Sequence, residues 1–244
     1  KMPGQKSWSE NSYLLIILHF SFIFRIQLYI KNTTMVKIHT CRDIPDQLVR
    51  SLRNDGMAMI DAEMTGLDIP KHDRLSLVQI CGKNSKEIYL IQPNKKYETP
   101  NLVKILGDPK IQVVGHFLRM DKKTLEYFLR PECKINNIFD TKVASRLVRR
   151  YTNEHGLASL CQEFANVRLD KKMASSDWEK DISEFTEKEK NYAAADVQYL
   201  FLIKTKLETM LKREKRYEIF LKCMKFLDTR IELDNQGFDK IFDH

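Results

Sequence analysis

The chain has 244 residues, 43% of them hydrophobic and 30% charged, which excludes a disordered chain and suits one globular domain with or without an extension. Its five cysteines (Cys41, Cys81, Cys133, Cys161, Cys223) are odd in number, widely spaced and lack a C-x-x-C. That argues against a disulfide framework or a zinc knuckle and for a reducing, cytoplasmic setting. A net charge of +8 and a pI near 9.1 admit a polyanionic partner as readily as a merely lysine-rich surface.

The first 34 residues differ from the rest. Tyr13 to Ile30 is almost wholly apolar, broken by His19, Arg25 and Gln27. Its length sits at the lower edge of a bilayer span, an arginine within it is costly, and no small-residue cleavage site follows. The expectation is that residues 1–34 are an extension outside the functional domain, with a membrane tether through residues 13–30 as the lesser alternative. They carry four cations against Glu10 alone, so most of the basic balance belongs to residues 35–244.

From Met35 the elements follow in order. Val36–Thr40 reads as a short edge strand. Asp43–Arg53 reads as a helix with Ile44, Leu48 and Leu52 on one face and Asp43 as its cap. Asn54-Asp55-Gly56 turns the chain into an apolar strand over Met57–Glu63. Arg74–Cys81 and Glu87–Gln92 make two further strands, and three successive strands with short turns predict an antiparallel meander. Leu102–Leu106 is a short helix and Ile111–Gly115 another strand. Helix Asp121–Leu129, strand Ile135–Phe139 and helix Thr141–Arg150 then give parallel βα units. The fold class is α/β, a mixed sheet of three antiparallel strands followed by parallel strands, flanked by helices.

Acids recur at the ends of these elements. Asp61 and Glu63 are i and i+2 on one strand and so point to the same face. Like charges that close are unfavourable unless a cation lies between them, and a hard divalent ion with oxygen ligands would resolve the conflict. The alternative for D-x-E at a strand end is a solvated loop. Asp121 lies in the first turn of a helix beyond a strand, where a carboxylate is ordinarily a dipole partner but where an α/β sheet also presents functional groups. Asp140 ends another strand in the same manner, and a helix cap is the leading reading there. Thr186 and Glu189 fit a capping box opening a helix whose apolar spacing continues through Leu200, Ile203, Leu207, Met210 and Leu211. On it Tyr192 and Asp196 share a face, with Ala193, Ala194 and Ala195 between them. A tyrosine there is ordinarily core. Three alanines beside an acid, however, clear space for a site.

The order D-x-E on a strand, Asp at a strand-to-helix junction, then Y-x-x-x-D on a late helix resembles the DEDD exonucleases, in the subgroup with tyrosine. Asp61-Ala-Glu-Met-Thr-Gly-Leu67, Arg74-Leu-Ser-Leu-Val-Gln79, Gly115-His-Phe-Leu-Arg-Met-Asp121, Asp140-Thr-Lys-Val-Ala-Ser-Arg-Leu147, His155-Gly-Leu157, Ser175-Ser-Asp-Trp178 and Tyr192-Ala-Ala-Ala-Asp-Val197 are similar to bacterial ribonuclease D. The likeness runs from about Met35 to His244, and the ending resembles that of the short, single-domain members. Ala62 departs from the pattern, since a hydroxyl residue is common between the paired acids. The histidine subgroup would carry histidine in place of Tyr192, and the nearest histidine, His155, is far upstream.

The resemblance implies an RNase H-like fold and a 3′-5′ exonuclease domain over residues 35–244. It also implies two divalent cations, Mg²⁺ or Mn²⁺, and release of 5′-mononucleotides from RNA 3′ ends. Asp61, Glu63, Asp121 and Asp196 would hold the metals and Tyr192 would orient the attacking water. Arg119, Lys171 and Lys172 are candidates for phosphate contacts. Trp178 is a candidate for stacking on a base or for a buried anchor, and Thr65, Leu67, His116 and Asp140 for other substrate contacts. The expected partners are single-stranded RNA 3′ ends, including tRNA precursors, with single-stranded DNA as an alternative. No protein partner is readable. A catalytically silent nucleic-acid-binding module on the same fold is the competing reading.

Overall fold

In a computed structural model of the protein, residues 36–66, 68–69, 71–131, 133–169 and 176–242 are described. The apolar N-terminal stretch, Leu67, Lys171 and Lys172 lie outside the described residues. The sheet is built around β2 (Met57–Met64), whose first four side chains are all buried. On one side β3 (Leu75–Cys81) pairs with it antiparallel, and β4 (Glu87–Ile91) pairs antiparallel with β3. β1 (Lys37–Cys41) closes that edge parallel to β4. On the other side β5 (Gln112–Gly115) runs parallel to β2, and β6 (Ile138–Asp140) parallel to β5. The order is therefore β1-β4-β3-β2-β5-β6, the antiparallel meander merging into parallel units that the sequence predicts. All seven residues of β3 are buried, as a strand covered on both faces requires.

Eight helices are described: α1 (Asp46–Asp55), α2 (Pro100–Leu106), α3 (Arg119–Phe128), α4 (Thr141–Val148), α5 (Leu157–Ala165), α6 (Glu187–Gln198), α7 (Leu200–Arg213) and α8 (Tyr217–Asn235). Among the described residues none is long and apolar enough to cross a membrane. The five cysteines are free thiols.

Several elements differ from the sequence reading: β6 starts at Ile138 rather than Ile135, α5 and α8 are not foreseen, and two further differences change the packing. Asp43 does not cap the helix that follows it; α1 starts at Asp46 behind Pro45. The Asp43 carboxylate instead accepts the backbone N–H groups of Asn101 (2.9 Å) and Leu102 (3.0 Å), so it caps α2, with Ile44 N–H as a third donor at 2.8 Å. α2 needs an outside acceptor because its own N-cap, Thr99, makes no side-chain bond. The second difference is a break at Tyr199 between α6 and α7, where a single helix is predicted. The break lets α6 pack across β2, β3 and β4 while α7 turns onto α4 and α5. Apolar spacing persists through it, so the periodicity does not register the change of direction.

α8 buttresses the start of α3. The fully buried Lys122 of α3 pairs with Glu126 and with Asp228 of α8 (2.9 Å), and donates to the Ile135 carbonyl at 2.6 Å. Phe220 of α8 packs on Phe139 of β6, ring centroids 4.6 Å apart.

Asp43→Ala removes an acceptor shared by three backbone donors. The expected loss is about 1–2 kcal/mol of unfolding free energy, read as a lower urea midpoint at unchanged slope; an unchanged midpoint would show that solvent satisfies α2 equally well.

Candidate active site

Asp61 and Glu63 leave the sheet on one face of β2, and Ala62 between them is buried. The β2–β3 register shifts between Glu63 and Met64, with Ser76 the extra residue on β3, so the ladder bulges where the two acids emerge. Asp61 lies opposite Gln79 in the ladder. The fully buried Gln79 amide donates to Glu63 at 3.4 Å, and among the described residues its own carbonyl oxygen has no partner.

Asp196 reaches the pair from α6. Its helix opens with the predicted capping box: Thr186 Oγ1 accepts the Glu189 N–H (3.3 Å) and Glu189 accepts the Thr186 N–H (2.8 Å). Ala193 and Ala194 are buried, and helix and sheet approach closely there. One oxygen from each of Asp61, Glu63 and Asp196 lies within 4.8 Å of the others. Asp121 comes from the first turn of α3 and lines the same cavity as Asp61, about 600 Å³ in volume. A Cβ at Gly115 would collide with the Leu118 side chain and sit 3.1 Å from the Ile60 carbonyl oxygen; glycine lets the β5–α3 loop fold that tightly against β2. Thr124 of α3 donates to Met64 Sδ at 3.0 Å and ties the helix to the end of β2.

The electrostatics follow from this crowding. Burial first, then the charges of Asp121, Asp196 and Glu63, hold Asp61 well above the usual carboxylate range. Burial lifts Glu63 to about 7, against a lowering bond from Gln79. Burial and Glu63 lift Asp196 to about 7. Asp121 rises to about 8 through burial and the nearby Asp140, partly offset by backbone N–H groups including that of Ala62. Tyr192 is pushed up to about 12 by burial and by Asp196, Glu63 and Asp61, so its hydroxyl stays protonated. Among the described residues no Lys, Arg or His forms an ion pair with any of the four acids. An all-oxygen donor set with surplus negative charge and no internal counter-ion fits hard divalent cations.

The other expected site residues are placed as follows. His116 lines the cavity; its Nδ1 lies 3.0 Å from Thr141 Oγ1, whose hydroxyl donates to the Gly115 carbonyl. The network therefore makes Nδ1 the donor and leaves Nε2 as an acceptor. Burial pushes its pKa down to about 3, so the ring is neutral. Arg119 lines the cavity too but pairs with Asp234 at 3.3 Å. Trp178 is an anchor at 5% exposure, edge-on to Phe185 and stacked on Tyr192 with centroids 6.1 Å apart. Thr65 is exposed, and its hydroxyl closes the 65–74 loop by donating to Asp73 and accepting the Arg74 N–H, both at 3.0 Å. Asp140 caps α4 through Lys142 and Val143 N–H, and also accepts the N–H groups of Phe117 (3.1 Å) and Leu118 (2.8 Å). Those four bonds occupy both of its oxygens without any substrate. Gln79 escapes the sequence reading as a site residue, although it closes the motif Arg74–Gln79; it is an amide in a strand whose only other polar residue is Ser76.

A mixed sheet of this order, with acids emerging beside its central strand, is an RNase H-like nuclease fold. Residues 36–212 match the family model described as 3′-5′ exonuclease, and the chain belongs to that family. Ribonuclease D of Escherichia coli strain K12 is 32% identical over 137 residues, 56% of this chain and 34% of that protein. Ribonuclease D of Pseudomonas paraeruginosa is 30% identical over 171 residues, 70% of this chain and 43% of that one. The chain thus spans less than half the length of these relatives. Brucella melitensis NrnC is 36% identical, with a TM-score of 0.76, over 85% of this chain and 98% of that one. Structures of that protein with bound Mg²⁺ and bound to pGG superpose comparably, with TM-scores of 0.74 and 0.76.

Two outcomes are expected. Carboxylates whose folded pKa is raised stabilise the fold fully below their unfolded values near 4 and lose that contribution as pH rises through about 7–8. The metal-free melting temperature should therefore fall from about pH 5 to about pH 8.5. Added Mn²⁺ or Mg²⁺ should restore it, more at the higher pH, and a flat profile would contradict the cluster. The depressed Asp181 and Glu189, both about 2, act only at lower pH. Second, Asp140→Ala strands four backbone donors; a loss of about 2–4 kcal/mol is expected in urea unfolding.

Proposed function

We propose that residues 35–244 are a 3′-5′ exoribonuclease domain that hydrolyses single-stranded RNA 3′ ends with two divalent cations, residues 1–34 lying outside it, in the cytoplasm. The single observation that carries this reading is the convergence of Asp61, Glu63 and Asp196 within 4.8 Å, with Asp121 lining a cavity together with Asp61 and, among the described residues, no ion pair to any of the four acids. Asp61, Glu63, Asp121 and Asp196 would hold the cations, Asp61 being clustered with Glu63 and Asp196 and sharing a cavity wall with Asp121. Bound divalent cations supply Lewis acidity toward an attacking water and the leaving 3′ oxygen. Tyr192, protonated at every physiological pH and braced by Trp178, orients that water by hydrogen bonding and does not act as its base. His116 in its neutral form offers Nε2 as an acceptor to a hydroxyl of the substrate.

Support for RNA comes from the ribonuclease D relatives. Support for short substrates comes from the pGG complex of NrnC, a protein that this chain matches over nearly its whole length. Trimming of tRNA precursors is the extension of the same reading to structured RNA.

Turnover of 5′-labelled single-stranded RNA, matched DNA, RNA dinucleotides and a tRNA-like substrate with Mg²⁺, Mn²⁺ or EDTA tests it. Asp61→Ala and Asp196→Ala should each lower kcat by about 1,000-fold or more, and Tyr192→Phe by roughly 100-fold, with unchanged circular dichroism. Near-wild-type turnover in either alanine variant sinks the assignment. A catalytically silent binding module would retain RNA without shortening it.

A further inference from the structure

The loop His116-Phe117-Leu118 joins β5 to α3 and carries an unusual residue. Phe117 has φ +65°, in the left-handed region that a bulky side chain occupies only under strain. The buried Asp140 carboxylate holds it there by accepting the N–H groups of Phe117 and Leu118. The strain gains no core packing, because the ring is 41% exposed. It stands on the ridge between two cavities and lines both. One is the acid-lined cavity; the other, about 450 Å³, has an apolar floor of Val143, Phe226 and Leu227 and a rim of Arg119, Lys222 and Arg230. Lys142 Nζ lies 3.9 Å from the ring centroid and the Arg119 guanidinium 5.5 Å. Arg119 and Arg230 share Asp234, whereas among the described residues Lys142 and Lys222 form no ion pair.

A half-exposed aromatic ring with the unpaired Lys142 over it and Lys222 on the adjoining rim, at the lip of a phosphodiester-cleaving site, matches the pattern by which single-stranded nucleic acid is held: bases stack on aromatics and phosphates meet lysines. Here the strained backbone and the spent carboxylate keep the ring out of the core. We propose that Phe117 is the stacking platform for the base on the 5′ side of the scissile phosphate. The cationic groove beyond it receives the preceding phosphates of the strand. This rests on the exonuclease reading above and deepens it. The terminal nucleotide lies on the acid side of the ridge, so the strand that remains after cleavage crosses Phe117. Every base has a π-face, so the platform grips without selecting sequence, and a mononucleotide has nothing to place on it.

The test uses the 244-residue chain with Mg²⁺ and a short 5′-labelled RNA, intact or abasic at the penultimate position. Phe117→Ala should raise KM for the intact RNA about tenfold while kcat moves far less, and Phe117→Trp should restore it. The abasic RNA should show the same rise with the wild-type chain and no further rise with Phe117→Ala. Phe117→Gly, which suits the left-handed backbone, should keep the melting temperature and lose affinity as the alanine variant does. An unchanged KM in Phe117→Ala, or an abasic penalty equal in wild type and variant, overturns the platform. If the wild-type chain turns over no RNA, the nuclease reading fails. The platform is then read from a penultimate 2-aminopurine in EDTA: quenching by wild type but not by Phe117→Ala supports it, and equal or absent quenching overturns it.

Discussion

Three carboxylates with oxygens within 4.8 Å of one another, and a fourth that lines a cavity with one of them, cannot all ionise inside this fold unaided. At an effective dielectric of about 20, two unit charges at that separation repel by roughly 3–4 kcal/mol. Three such pairs cost about 10 kcal/mol, as much as the whole net stability of a typical domain. Hydrogen bonds from Gln79 and from backbone N–H groups reduce the load on Glu63 and Asp121 but supply no positive charge. The metal-free protein relieves the conflict by holding protons to near neutral pH. Divalent cations relieve it by neutralisation, and the rest of the architecture is arranged around that choice.

The repelling charges sit on three separate elements: β2, α3 and α6. β2 has no freedom to yield, since it is central in the sheet with β3 and β5 hydrogen-bonded on either side. The repulsion therefore acts across the seams between β2 and the two helices. α3 is held by the Thr124–Met64 bond, the Asp140 clasp on its entry loop and the buried Lys122 linked to Asp228 of α8. α6 is held by its capping box, by Ala193 and Ala194 against the sheet, and by the Trp178–Tyr192 stack. The work of these contacts is to hold the two helices against β2.

Much of this was legible in the chain because it is local. Asp61 and Glu63 share a face by strand geometry alone, Tyr192 and Asp196 by helix geometry, and Thr186-x-x-Glu189 announces its own helix start. The misses are tertiary. Asp43 stands before a helix in the manner of a cap, and only the fold reveals that its oxygens serve α2, more than fifty residues on. The break at Tyr199 leaves the apolar spacing intact, so periodicity cannot detect it. Gln79 looks like an isolated polar residue until the register sets it opposite Asp61. Asp140 was readable as an α4 cap, but its second pair of donors, on the Phe117 loop, comes from a neighbouring strand's end.

That second pair links the acids to the surface beyond them. One buried carboxylate fixes both the start of α4 and the turn after β5, and the same turn sets Phe117 on the ridge and launches the helix carrying Asp121. Asp121 and Phe117 thus belong to one short segment, α3's first turn and its entry loop, tied to Asp140 through the Phe117 and Leu118 N–H groups. A change in that loop alters the geometry of the acids and the lip of the cavity together. The contrast with the other aromatic is instructive. Tyr192 is braced by a buried tryptophan, which suits a hydroxyl that must hold one orientation, whereas Phe117 is fixed through its backbone and leaves its ring half-exposed under the Lys142 ammonium.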